Sequence, residues 1–219
     1  MIEGIMNMTV EKMNVHEALT ELKMLEKRIP AETKAVVWVL ANKHSNTKIN
    51  GVKLTDVTER MLSQKQKVRD LIRRRDAIKR AVVQSNAVTK ITVAGVEYTV
   101  AEAIDLKNHG MEFLGNLQEQ MVRDYRNAER TAQIENANLE SRADAFMKTM
   151  IGNSDTKGMS EENRAARAKF IAEQTVELVD PIGVLTLAAE LDEQINTFLS
   201  KVDSALSTSN ALTTITVEY

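Results

Sequence analysis

The residues best suited to chemistry are few and scattered. There are three histidines, His16, His44 and His109, and none lies within a helical turn of another. No H-E-x-x-H stands in the chain, and no Glu-x-x-His pair of the kind that holds di-iron centres in helical bundles. Cysteine is absent, which removes a thiolate nucleophile, a disulfide framework and thiolate-bound zinc. No glycine-rich phosphate cradle (G-x-G-x-x-G or G-x-x-x-x-G-K-[ST]) and no G-x-S-x-G nucleophile elbow occurs. Carboxylates cluster at Glu161-Glu162 and at Glu190, Asp192 and Glu193, where helical spacing makes them a solvated face rather than an acid/base pair. The expectation is a non-enzymatic protein with no catalytic residue, no metal ligand and no cofactor.

One charged stretch carries a sharper reading. Nine basic residues fall between Arg60 and Arg80, opposed there only by Asp70 and Asp76. Arg73, Arg74 and Arg75 are the candidate polyanion contacts. Three consecutive arginines on a helix spread over most of its circumference, so they make no single stripe. Acidic neighbours between Glu161 and Glu193 are the favoured partners of this stretch, with nucleic acid the less favoured one.

The elements that would position these residues are helical. Of 219 residues, 43% are hydrophobic and only 4% aromatic, with 8 Gly and 2 Pro. That mix suits helices joined by aliphatic contacts and disfavours turn-rich β-sandwiches and barrels. The net charge of -2, from 29 basic and 31 acidic residues, suits helices with mixed polar faces and gives no global attraction to nucleic acid or anionic membrane. The longest apolar run, Ala35 to Ala41, is too short for a membrane span. The opening MIEGIMNMTVEK lacks the pattern of a signal peptide. A non-membrane protein, cytoplasmic during synthesis, is expected.

Apolar spacing sets the helices. Val15, Ala18, Leu22, Leu25 and Ile29 form one stripe, opened by Asn14 with Glu17 as a capping-box variant. Pro30 is expected to end that helix or to start a second one over Ala31–Asn42, with Trp38 as a core or interface anchor. A third helix is predicted over about Thr55–Gln84. A fourth opens at the capping box Thr99-Val100-Ala101-Glu102 and runs toward Met150. Gly152–Ser160 reads as a loop, and a helix over Glu161–Leu178 follows. Asp180-Pro181 then begins the last helix, which runs to about Ser207. Its seam, Val184, Ala188, Leu191, Ile195, Phe198, Val202 and Ala205, keeps 4,3,4,3 spacing without a polar break.

A motif occurs three times: SNTKINGVKL at 45–54, SNAVTKITVAGVEY at 85–98 and SNALTTITVEY at 209–219. Asn46, Asn86 and Asn210 suit left-handed helix ends. Asn50-Gly51 and Ala94-Gly95 suit two-residue hairpin turns. The second would set Ile91, Val93, Val96 and Tyr98 on one face. Ile215, Val217 and Tyr219 alternate with polar residues as a strand. These strands are expected to gather into one small sheet.

The segments EALTELKMLEKRI (17–29), SNAVTKITVAGVEYTVAEAI (85–104) and LDEQINTFLSKVDSALSTSNALTTITV (191–217) resemble the septicolysin-like family of small helical proteins, whose relatives occur in phages and prophages. The resemblance implies a helical hairpin protein that oligomerises, and it supplies no catalytic residue.

The resulting fold class is mainly α: long antiparallel helical hairpins in a coiled-coil bundle, with a small β-hairpin or β-sheet element at one end. The expected division is 1–150, a helical hairpin region with a β-hairpin near 89–99; 151–160, a loop; and 161–219, C-terminal helices and a terminal strand. The expected function is a structural protein of a multi-subunit assembly, a phage virion or phage-like particle component acting by helix packing and strand addition. Its partners would be further copies or other structural proteins of the particle. Val184, Leu191, Ile195, Phe198, Val202, Ile215, Val217 and Tyr219 are the interaction candidates. The alternative is a soluble helical binding or regulatory module that contacts nucleic acid through Arg60–Arg80.

Overall fold

The computed structural model describes residues 9–152 and 160–219. It is mainly α-helical with small antiparallel strand pairs. Two compact units are present. One holds residues 9–108 together with Phe198–Tyr219; the other holds the described part of His109–Thr197. Both boundaries fall inside helical segments, whereas the division read from the sequence was placed at 151–160, a stretch mostly outside the described residues.

In the first unit, strand β1 (Val10–Asn14) leads into helix α1 (Val15–Lys34). The α1 cap is a full capping box. The Glu17 N–H donates to Asn14 Oδ1 at 2.8 Å and the Asn14 N–H donates to the Glu17 carboxylate at 3.0 Å, so two otherwise orphaned donors are satisfied. Helix α1 does not stop at Pro30; it continues unbroken through the proline to Lys34. A helical proline costs about 3 kcal/mol, through one lost hydrogen bond and the clash of its ring with the carbonyl four residues back. Here the orphaned carbonyl belongs to Glu26, an exposed residue, so water can satisfy it. Beyond the proline, Glu32 pairs with Lys67 at 2.7 Å, tying the last turn to the next helix.

The expected second helix over Ala31–Asn42 is absent past Lys34. Residues 36–43 are irregular, and Trp38 is half-exposed, which removes the core role of the two expected for it and leaves the interface one open. Val36, Val37 and Val39 are β-branched and poor helix formers. The Trp38 Nε1–H donates to the Thr33 carbonyl at 3.1 Å. The hairpin β2 (Lys48–Ile49) and β3 (Val52–Lys53) follows. Asn50 and Gly51 both take positive φ in its turn, as a type I′ turn requires.

Helix α2 (Leu54–Val88) then packs antiparallel to α1. The core between them contains Val15, Ala18, Leu22 and Leu25 of α1, Ile78 and Val82 of α2, and Met13, Ile215 and Val217 from the adjoining strands. Along α2, Val57, Met61, Gln64, Val68, Leu71, Arg75, Ile78 and Val82 recur at 3- and 4-residue spacing and are all buried or partly buried. After α2 come β4 (Lys90–Val93), β5 (Val96–Thr99) and α3 (Val100–Asp105), which is opened by the Thr99/Glu102 capping box. Ala94 takes the left-handed position in the β4–β5 turn with φ 54°.

The three repeats do not gather into one sheet. They make three separate two-stranded pairs: β1–β6, β2–β3 and β4–β5. What they share is a hydrogen bond. In each, the threonine carbonyl just before the first strand accepts the N–H of the first residue of the helix that leaves the pair. These bonds are Leu54 to Thr47 at 3.0 Å, Val100 to Thr89 at 2.8 Å and Val15 to Thr213 at 2.9 Å. Asn86 and Asn210 are not left-handed caps. Their helices run two residues further and close with Thr89 N–H to Ser85 and Thr213 N–H to Ser209, both at 2.8 Å. The third pair is split. β6 (Thr214–Glu218) pairs antiparallel with β1, and Thr9 and Tyr219 exchange hydrogen bonds of 2.9 and 3.1 Å where the two strands end. The burial matches the second pair closely. Val100, Ala103, Ile91 and Val93 there correspond to Val15, Ala18, Ile215 and Val217 here, and all are buried.

A π-helical turn (Leu106–Gly110), in which the first unit ends and the second begins, leads into α4 (Met111–Ala137), then α5 (Leu139–Ile151) and α6 (Glu161–Gln174). The long helix expected from Thr99 to Met150 is therefore one helical path, interrupted by that turn and a break at Asn138. α5 and α6 pack antiparallel, with Phe146 stacked on Phe170 at 4.6 Å between ring centroids. Arg167 of α6 pairs with Asp144 at 2.9 Å and with Glu140. Helix α7 (Val184–Leu212) passes from this unit into the first. Asp180 accepts the Val184 N–H at 3.0 Å, so the aspartate caps the helix as its type suggests, but Pro181 lies in a turn before it.

Candidate interaction surfaces

The interaction candidates read from spacing lie mostly inside the subunit. Phe198, Val202, Ile215 and Val217 are buried, and Val184, Leu191 and Ile195 are partly buried. Phe198 sits edge-on to Tyr98, with centroids 5.8 Å apart and rings at 86°. Heptad spacing reports that a face is covered; it does not report whether the cover is the same chain or another.

The arginine run resolves into three environments. Arg74 is committed to a network. Its guanidinium makes a two-pronged contact with the Glu21 carboxylate, with Nη2 at 2.8 Å from Oε2, and Nη1 reaches Glu11 at 2.9 Å. Nη1 also contacts the Tyr219 hydroxyl, and the group lies 4.9 Å from the Tyr219 ring centroid. Glu21 above all raises the guanidinium's already high pKa, so the charge is permanent. Arg74 thus joins β1, α1, α2 and the residue after β6. Arg75 pairs with Asp76 at 3.0 Å, and Arg73 is exposed.

Sequence reasoning placed a helix over the first of two exposed apolar stretches and did not single out the second. Val37, Trp38, Val39 and Leu40 are 56%, 48%, 83% and 44% exposed, in the irregular stretch after α1. Val179 and Ile182, between α6 and α7, are 92% and 60% exposed, with Val176 and Leu178 beside them. A non-helical reading of Val36–Leu40 was available from its β-branched residues, followed by the Asn50-Gly51 turn signal.

Comparison with family models, curated proteins and solved structures finds no match.

A third feature is an open groove of about 740 Å³ between β4 and the C-terminal part of α7, lined by Thr89, Thr92, Lys201, Ser204 and Thr208 among others. His16, His44 and His109 are all exposed. Among the described residues no group of three or more His, Asp or Glu could hold a metal ion, and no helix is long and apolar enough to cross a membrane.

Proposed function

We propose that this chain is a non-enzymatic structural subunit of a multi-subunit assembly, of the phage-virion or phage-like-particle kind, acting by helix packing and strand addition. One observation carries the reading. Two short apolar stretches, around Trp38 and around Val179, are exposed in non-helical segments of the chain. Contiguous exposed apolar surface on a folded protein marks a place where another surface docks. The strand pairs add to this. Among the described residues each has two strands, so each offers outer edges on which a further strand can add. The resemblance to septicolysin-like and phage-encoded helical proteins points the same way.

The nucleic-acid reading loses support from the arginine geometry, because Arg74 and Arg75 already have carboxylate partners. Mass spectrometry of particles purified from cells that make this protein tests the proposal. The chain is expected in a fixed ratio to the other particle proteins. Its recovery only from the particle-free supernatant would refute the assignment.

A further inference from the structure

We propose that the two exposed apolar stretches are the two halves of one heterologous contact between copies of this chain. The stretch 36–40 of one copy docks on the stretch 176–182 of the next. The inference rests on the assembly reading above and specifies its contact.

The argument for a second copy is charge. The first stretch is flanked by Lys34 and Lys43, with no acidic residue between them. Glu32, just before it, is neutralised by Lys67 at 2.7 Å and Arg28 at 3.7 Å. The second stretch carries Glu177 and Asp180 and no basic residue. An apolar strip with basic ends and an apolar strip with acidic residues therefore coexist on the same chain. Their contact adds Coulomb attraction to apolar burial. Self-pairing is disfavoured for each strip. Two antiparallel copies of 36–40 would set Lys34 near Lys43, and two copies of 176–182 would crowd Glu177 and Asp180 together. Charge thus selects the contact between unlike strips over either contact between like ones.

Each strip has one anchored residue, which lowers the entropy lost on docking. Trp38 is held by its Nε1–H bond to the Thr33 carbonyl at 3.1 Å. Val176 is held at both backbone groups by Asn136, at 2.9 Å and 2.8 Å. The backbone of Val36–Leu40 takes part in none of the loop and cap hydrogen bonds among the described residues, so it remains available to a partner. Repeated head to tail, a contact between unlike surfaces propagates into a ring or a filament.

The experiment combines two variants with the natural reporter Trp38, the single tryptophan. Val37→Glu with Val39→Glu reverses the charge character of the first strip; Val179→Lys with Ile182→Lys does so for the second. All four side chains are more than half exposed, and circular dichroism checks that the fold is unchanged. In sedimentation velocity the unsubstituted chain self-associates and its Trp38 emission shifts to the blue with concentration. Each variant alone associates more than about tenfold more weakly. Mixing the two restores a complex, because one variant keeps an intact acidic strip and the other an intact basic one. Self-association of the Val179/Ile182 variant at the original strength would overturn the proposal, as would failure of the mixture to associate. If both variants assemble like the unsubstituted chain, the contact is wrong and the assembly reading stands. If the unsubstituted chain is monomeric at every concentration, the copy-to-copy contact falls, and the assembly reading is decided separately by the particle mass spectrometry.

Discussion

Replacing Arg74 separates a structural arginine from a polyanion-binding one. The Arg74 and Glu21 side chains are 23% and 21% exposed, and Glu11 is 42% exposed. The two-pronged Glu21 contact is sheltered enough for a charge-assisted hydrogen-bond contribution of about 1.5 kcal/mol. The Glu11 pair is screened by water and contributes about 0.5 kcal/mol. The Tyr219 ring adds about 0.5 kcal/mol. Arg74→Met should therefore destabilise the protein by about 2–3 kcal/mol, since it also leaves Glu21 without its partner. For a chain of this size that lowers Tm by roughly 4–12 °C. Arg74→Lys keeps the charge but loses the planar fork, and should still cost about 1 kcal/mol or more. Urea unfolding of Arg74→Met, Glu21→Gln and the double variant should give a coupling of about 1–2 kcal/mol. A coupling near zero, or an Arg74→Met protein within about 0.5 kcal/mol of the original, would refute the network as a source of stability.

Three further outcomes follow from the geometry. Ala94 occupies a left-handed position, so Ala94→Asn should stabilise the β4–β5 hairpin by about 0.5–1 kcal/mol; a loss of stability on urea unfolding would contradict the turn assignment. Because Thr9 and Tyr219 are hydrogen-bonded as a closing pair, a circular permutant joining Tyr219 to Thr9 through Asn-Gly, opened between Ala94 and Gly95 and omitting residues 1–8, should fold with native circular dichroism and cooperative unfolding. An unfolded permutant would show that the split pair is not equivalent to its hairpin counterpart. Hydrogen bonds from Thr99 hold Glu102 below the ordinary glutamate value of 4.5, and Lys67 does the same for Glu32. A depressed folded-state pKa adds stability that is fully present above pH 4.5 and lost as pH falls through the folded value. Glu32→Gln with Glu102→Gln should therefore lose less stability between pH 7 and pH 3.5 than the original chain; an unchanged loss in urea titrations would contradict the sign.

Much of the architecture is legible in local patterns. The stripe from Val15 to Ile29, the two capping boxes and both two-residue turns are short-range features, and each stands where its chemistry puts it. Non-local partners are not legible. The segment VEKMN of β1 has one buried residue, Met13, and pairs with a strand at the other end of the sequence. The run Ala35–Ala41 is uniformly apolar, so periodicity cannot assign it, and the helix expected there does not form. The three arginines at 73–75 are identical in type; only the antiparallel packing of α1 on α2 decides that Arg74 meets Glu21. The same limit applies to the interaction candidates. Spacing identified Phe198, Val202, Ile215 and Val217 as contact-making residues, and their contacts lie within the subunit.

The central claim is that this chain associates with further copies of itself. Light scattering coupled to size-exclusion chromatography, run from micromolar to near-millimolar concentration, measures that most directly. The account predicts a mass that climbs with concentration to multiples of 24.5 kDa and falls again at high salt, where charge attraction between strips is screened. A constant 24.5 kDa species across the whole range would contradict it.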